Sequence, residues 1–206
     1  ISVVYSYKFG DLSFIYPIAR GSSSLIIAII TIFFLKEKIS SLGLVAILFV
    51  CIGIFLISYN KKIKFNFIGF LHAISTALLI AVYTLVDGYG IRLSYNKFSY
   101  LYWMLLLNGV PVLLISIFSK EKPFKNINKE FIYWGVLAGV LAILSYGLVV
   151  WSMQYIEIAY VSSIRESSII FATAIGFLIL KEKQAKNRLI PSCLIVLGIA
   201  ILFFQI

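Results

Sequence analysis

Ala19-Arg20-Gly21-Ser22-Ser23, followed by an apolar run to Leu35-Lys36-Glu37-Lys38, returns later in the chain as Ile164-Arg165-Glu166-Ser167-Ser168, followed by an apolar run to Leu180-Lys181-Glu182-Lys183. The spacing is constant at 145 residues (181 − 36), and the same shift lays Leu189 on Leu44, Gly198 on Gly53 and Ile199 on Ile54. In so apolar a sequence, coincident Leu and Ile carry little weight. The repeated Arg, the paired serines and the Lys-Glu-Lys carry more, because they are polar residues recurring in one order. The chain reads as two related parts, a pattern expected of polytopic membrane proteins built by duplication.

Composition supports that reading. Of 206 residues, 62% are hydrophobic and 13% charged, with a mean hydropathy of +1.03. Soluble domains average roughly 45–50% apolar and about 25% charged. The net charge of +10 sits in short clusters between apolar runs rather than on one polar face, which fits loops beside lipid headgroups and excludes a nucleic-acid surface. Cys51 and Cys193 both fall inside apolar runs, where a thiol behaves as a small hydrophobe, so no disulfide and no metal site is expected.

A hydrocarbon core about 30 Å thick needs about 20 apolar residues per spanning helix. By that ruler there are seven complete runs: Ser13–Leu35, Ser41–Tyr59, Phe65–Val86, Phe98–Phe118, Phe131–Trp151, Ile158–Leu180 and Leu189–Phe204. Polar breaks separate them, one of them expected to begin at Asp87-Gly88. Trp103, Trp134, Trp151 and several tyrosines lie near run ends, where amphipathic rings prefer the interface. Ile1 to Tyr7 read as the tail of a further helix, so the expected fold is an all-α polytopic membrane protein with seven full spans plus an N-terminal remnant.

Five helix-to-helix steps lead from Ser13–Leu35 to its equivalent, Ile158–Leu180. An odd number of crossings puts equivalent helices in opposite directions, which predicts inverted five-helix repeats about a pseudo-two-fold axis in the membrane plane. Residues 1–60 would be the C-terminal part of the first repeat and 65–206 the complete second repeat.

Tyr16-Pro17-Ile18-Ala19-Arg20-Gly21 through Leu35-Lys36-Glu37-Lys38 to Gly53 resembles the EamA repeat of the drug/metabolite transporter (DMT) superfamily. Ser163-Ile164-Arg165-Glu166-Ser167-Ser168 through Leu180-Lys181-Glu182-Lys183 to Gly198 resembles the second such repeat, and Tyr83-Thr84-Leu85-Val86-Asp87-Gly88 is also similar to bacterial members. The resemblance covers essentially the whole chain. It implies a ten-helix transporter, here shortened, and says little about substrate, since members move amino acids, other metabolites and drugs.

Ionisable residues within the spans are the candidates for chemistry, because a mid-helix arginine costs at least about 2.5 kcal/mol. Arg20 and Arg165 each lie about seven residues into a run, and Ser23 and Ser168 follow three residues later on the same helical faces. One reading makes these four residues two hydrogen-bonding pockets beside a central cavity; the other lets each guanidinium snorkel or pair for structural reasons. Glu166, about 100° around an ideal helix from Arg165, is expected to point to a different neighbour. It is a candidate proton carrier or, equally, a structural partner of Arg20. His72 is a candidate proton relay or a hydrogen-bonded helix residue. Asp87 is expected to cap a helix end, and Glu37 and Glu182 to serve helix-end hydrogen bonds and ion pairs.

There is no phosphate-binding glycine loop, no paired-histidine metal pattern and no catalytic signature. The expected function is a secondary transporter, an exporter or permease of a small polar or anionic metabolite such as an amino acid, working by alternating access. The alternatives are a flippase-like or lipid-linked transporter subunit and, further off, an intramembrane enzyme. No cofactor is expected. The expected partners are the lipid bilayer and a small-molecule solute, with protons as the coupling ion; a homodimer is left open, and the location is a bacterial plasma (inner) membrane. Orientation is read in opposite senses. Twelve Lys and Arg from Lys8 to Arg188 on one set of loops favour that face as cytoplasmic, whereas the resemblance places Lys36 inside.

Overall fold

The computed structural model describes residues 12–58, 66–118, 129–171 and 189–206, and these are helical without a strand. The helices are α1 (Leu12–Phe33), α2 (Ser41–Ser58), α3 (Phe67–Leu93), α4 (Lys97–Phe118), α5 (Lys129–Ser152), α6 (Ile158–Arg165) and α7 (Leu189–Phe203). Among the described residues three helical segments are long and apolar enough to cross a bilayer: Phe67–Leu93, Lys97–Phe118 and Glu130–Ser152. Ile18–Phe33, Ser41–Ile57 and Pro191–Phe203 are apolar but shorter. The Ile1–Tyr7 remnant, the second Lys-Glu-Lys motif with Glu182, and residues 172–180 of the sixth expected span lie outside the described residues.

Local chemistry sets the helix boundaries. Ser40 caps α2, its Oγ accepting from the Gly43 amide at 2.9 Å. Asn66 Oδ1 accepts from Ile68 and Gly69 at the start of α3, and Asn96 Oδ1 from Ser99 at the start of α4. Past the end of α1, Lys36 takes the left-handed conformation (φ 53°), and the Glu37 amide returns to the Thr31 carbonyl at 3.0 Å.

Two expected boundaries move. First, α3 does not end at Asp87-Gly88 but continues to Leu93. The polar and glycine residues are accommodated inside it, because Tyr146 donates to the Asp87 carboxylate and Gly90 leaves the space taken by the Tyr100 ring. Second, the run expected as one helix from Ile158 to Leu180 stops at Arg165 and turns at 166–167 before helix resumes at 168–171. Around this break the amides of Glu166, Ser167, Ile169 and Ile170 each bond the carbonyl three residues back, at 2.9–3.1 Å. A 3₁₀ stretch of this kind inside a long helical run often marks a hinge or a functional site.

The chain forms two compact units. The first, residues 1–86 with 156–206, is organised around α1, α2, α6 and α7, with the apolar cluster Val50, Ile54, Ile169 and Ile195 between them. Its tightest contact is between α2 and α7. A Cβ on Gly53 would lie 2.6 Å from Ile195 Cγ1 and 2.8 Å from the Pro191 carbonyl, and one on Gly198 would lie 2.7 Å from the Ala46 carbonyl and 2.8 Å from Val50 Cγ2. Small residues allow such close approach of apolar helices. The two helices run antiparallel here, because α2 advances from Ala46 to Gly53 while its contacts on α7 retreat from Gly198 to Pro191. The second unit, 87–155, joins the end of α3 to α4 and α5.

Candidate functional site

Six of the seven residues 162–168 are polar, which is unusual inside an apolar run, and the helix break falls among them. The break brings charges together. Arg20 Nε on α1 donates to Glu166 Oε2 at 2.9 Å, and Arg165 Nε lies 3.8 Å from Glu166 Oε1. The Glu166 side chain is 0% exposed, with Arg20 at 17% and Arg165 at 11%. Two guanidinium groups therefore face one carboxylate among the described residues.

Glu166 does hydrogen-bond a different neighbour, Arg20, and it also keeps Arg165 within ion-pair distance. The 100° separation describes where the two side chains leave the backbone, and both are long enough to bend toward each other, so Oε1 lies 3.8 Å from Arg165 Nε while Oε2 accepts from Arg20. Of the two roles open for Glu166, pairing with Arg20 is the one observed.

Arg165 Nε and Nη2, Glu166 Oε1 and the hydroxyls of Ser162 and Ser163 are buried and make no hydrogen bond among the described residues. Buried polar atoms are normally satisfied, since leaving one unmade costs about 1–3 kcal/mol. Five such atoms in residues 162–166 form a concentrated set of donors and acceptors. Sequence reasoning passed over Ser162 and Ser163; the local density of polar residues was the available signal.

The other expected residues divide. Ser23 is buried next to the cluster, but its hydroxyl is used locally, donating to the Arg20 carbonyl at 2.8 Å. Ser168 is exposed and is not brought to the ion pair. His72 is half-buried on α3, one residue before Ala73, which packs on Ile18 of α1. Glu37 performs the expected helix-end role across the unit: its Oε1 accepts from the Ile158 amide at 3.1 Å, the first residue of α6, where the adjacent Glu157 supplies no side-chain cap. Tyr160, buried two residues further on, accepts the Ser40 amide at 3.1 Å through its hydroxyl. The segment carrying Glu166 is thus tied at its start to the connection between α1 and α2.

Among the described residues no cluster of His, Cys, Asp and Glu could hold a metal ion. The sequence model of the EamA-like transporter family matches residues 67–204. No individually curated protein matches the chain.

Proposed function

We propose, from the premise that the chain belongs to the EamA-like transporter family, that it moves a small polar or anionic metabolite, such as an amino acid, across a bacterial plasma membrane by alternating access. Members of this family are membrane transporters rather than enzymes, so the bilayer and a solute are its partners.

The observation that carries the finer reading is the buried Arg20–Glu166–Arg165 cluster at a helix break. Arg20 and Glu166 balance each other, whereas Arg165 keeps Nε and Nη2 without a hydrogen-bond partner among the described residues. A guanidinium is a planar fork that suits a carboxylate or phosphate, and Ser162 and Ser163 add hydroxyls in the preceding turn. In this reading Glu166 acts as an internal anion, holding the arginines until the solute's anionic group takes its place on Arg165. Interrupted helices at solute sites serve the same purpose in other transporters, where they release polar groups within the membrane.

The inverted arrangement of two five-helix repeats, 1–60 and 65–206, is part of the proposal. It is supported by reciprocity between α2 and α7. The shift of 145 residues that relates the repeats carries Gly53 to Gly198, Ala46 to Pro191 and Val50 to Ile195, so each glycine meets the repeat equivalents of the other's partners. Antiparallel helices with exchanged contacts are what a two-fold axis across the helices produces. Protons are proposed as the coupling ion.

The test is uptake of a panel of radiolabelled amino acids and small carboxylic acids by liposomes containing the full chain. Accumulation of at least one, competed by related anions, is expected. Transport only of uncharged solutes, or of none at normal membrane insertion, would overturn the reading.

A further inference from the structure

Glu166 is not the only buried carboxylate. Asp87 lies in α3, six residues before its end, and is buried because α3 continues past it to Leu93. At 1.5 Å per residue that is about 9 Å inside a helix about 40 Å long, so Asp87 falls within hydrocarbon depth when α3 is centred on the bilayer.

The surroundings of the two carboxylates are opposite. Glu166 has two guanidinium groups against it, so adding a proton there would remove the charge that both of them face. Asp87 has no ion pair among the described residues. Its Oδ2 accepts from the Tyr146 hydroxyl of α5 at 2.5 Å. From α4, the Tyr100 hydroxyl reaches the notch at Gly90, one helical turn further along the same face of α3, and lies within electrostatic range of Asp87. Two described cations of this unit bond carbonyls: Arg92 Nε donates to Met153 at 2.7 Å, and Lys97 Nζ to Arg92 and Ser94 at 3.0 and 2.6 Å. Among the described residues, the polar groups brought to Asp87 from α4 and α5 are phenols, which can donate to a carboxylate but cannot cancel its charge. A proton can.

We infer that Asp87, held by Tyr146 and flanked by Tyr100, is the residue that carries the coupling proton, in place of Glu166. It takes a proton from water on one side of the membrane, becomes a neutral carboxyl as its site is sealed, and returns the proton to water on the other side. The inference rests on the transport reading above, since a proton carrier acts only in a coupled transporter.

The test uses the full chain in liposomes and two readouts. Infrared difference spectra between pH about 6.5 and about 9, a range in which ordinary exposed carboxylates stay ionised, should contain a carboxyl C=O band at the acid end that disappears at the alkaline end. The band should be absent from Asp87→Asn, present in Glu166→Gln and Asp87→Glu, and shifted in frequency in Tyr146→Phe. Wild-type protein without such a band, or a band lost in Glu166→Gln but kept in Asp87→Asn, would overturn the assignment. The second readout compares exchange of an amino-acid mixture without a pH gradient against accumulation driven by one. Asp87→Asn should keep exchange and lose gradient-driven accumulation, while Asp87→Glu keeps both. An Asp87→Asn variant that retains gradient-driven accumulation refutes the role, as does one that loses both modes. Absence of both modes in the wild type sinks the transport reading itself, a result distinguishable from loss in the variant alone.

Discussion

Arg20 donates from Nε to Glu166 Oε2 at 2.9 Å across 146 positions of sequence, and it joins α1 to the break that follows α6. The pair is uneven. Glu166 is wholly buried and also has Arg165 at 3.8 Å, whereas Arg20 retains partial access to its surroundings.

That asymmetry predicts unequal costs. Removing one partner of a buried pair costs about 3–5 kcal/mol, because the other is left uncompensated. Glu166→Gln removes the carboxylate that two guanidinium groups face and should destabilise more than Arg20→Gln, which leaves Glu166 with Arg165. The double variant should lose less than the sum of the two. Thermal unfolding of the four proteins in one detergent supplies the cycle, and additive losses would mean that the pair is not coupled.

Gly53→Ala and Gly198→Ala should each destabilise by about 1–3 kcal/mol, by overpacking the contact between α2 and α7. Both new methyl groups would meet backbone carbonyl oxygens, at 2.8 and 2.7 Å, which cannot rotate away. Gly139→Ala on α5 is the control: nothing lies within 4 Å of its added Cβ, and stability should change by at most about 1 kcal/mol. A tolerated Gly53→Ala beside a damaging Gly198→Ala would contradict the reciprocity of the contact.

Glu37→Ala should free the Ile158 amide and cost about 0.5–2 kcal/mol, the range for a lost helix cap. Glu37→Gln keeps a carbonyl acceptor and should recover most of the loss. Hydrogen exchange at Ile158 and Ala159 reads the effect locally; unchanged protection there in the Ala variant would remove Glu37 from the capping role.

If Arg165 receives the solute's anionic group, Arg165→Lys should impair uptake although the charge remains, because an ammonium cannot reproduce a planar fork. Arg165→Gln should abolish it. Ser168→Ala, at an exposed position, should leave uptake near wild type, whereas Ser163→Ala should reduce it. Normal uptake by Arg165→Gln at normal membrane abundance would leave Arg165 as a structural residue.

What the sequence determined by itself follows from properties that do not depend on neighbours. Apolar runs of about 20 residues identify a membrane protein because the bilayer requires that length. The repeated Arg-x-Ser-Ser and Lys-Glu-Lys identify related segments wherever the chain folds, and an arginine in an apolar run signals its own cost. Glu37 could be assigned to a helix end because it follows a helix directly. Only the tertiary structure decided which charge meets which. Helical periodicity separates the points where the Arg165 and Glu166 side chains leave the backbone, yet Arg20 and Arg165 both converge on the Glu166 carboxylate, and propensity alone does not reveal where a run of serines will leave the α-helix. Asp87 and Gly88 read as a helix end because both residues disfavour helix interiors. The helix continues because Tyr146 on α5 supplies the hydrogen bond that the Asp87 carboxylate needs, a partner 59 positions away that no local pattern encodes.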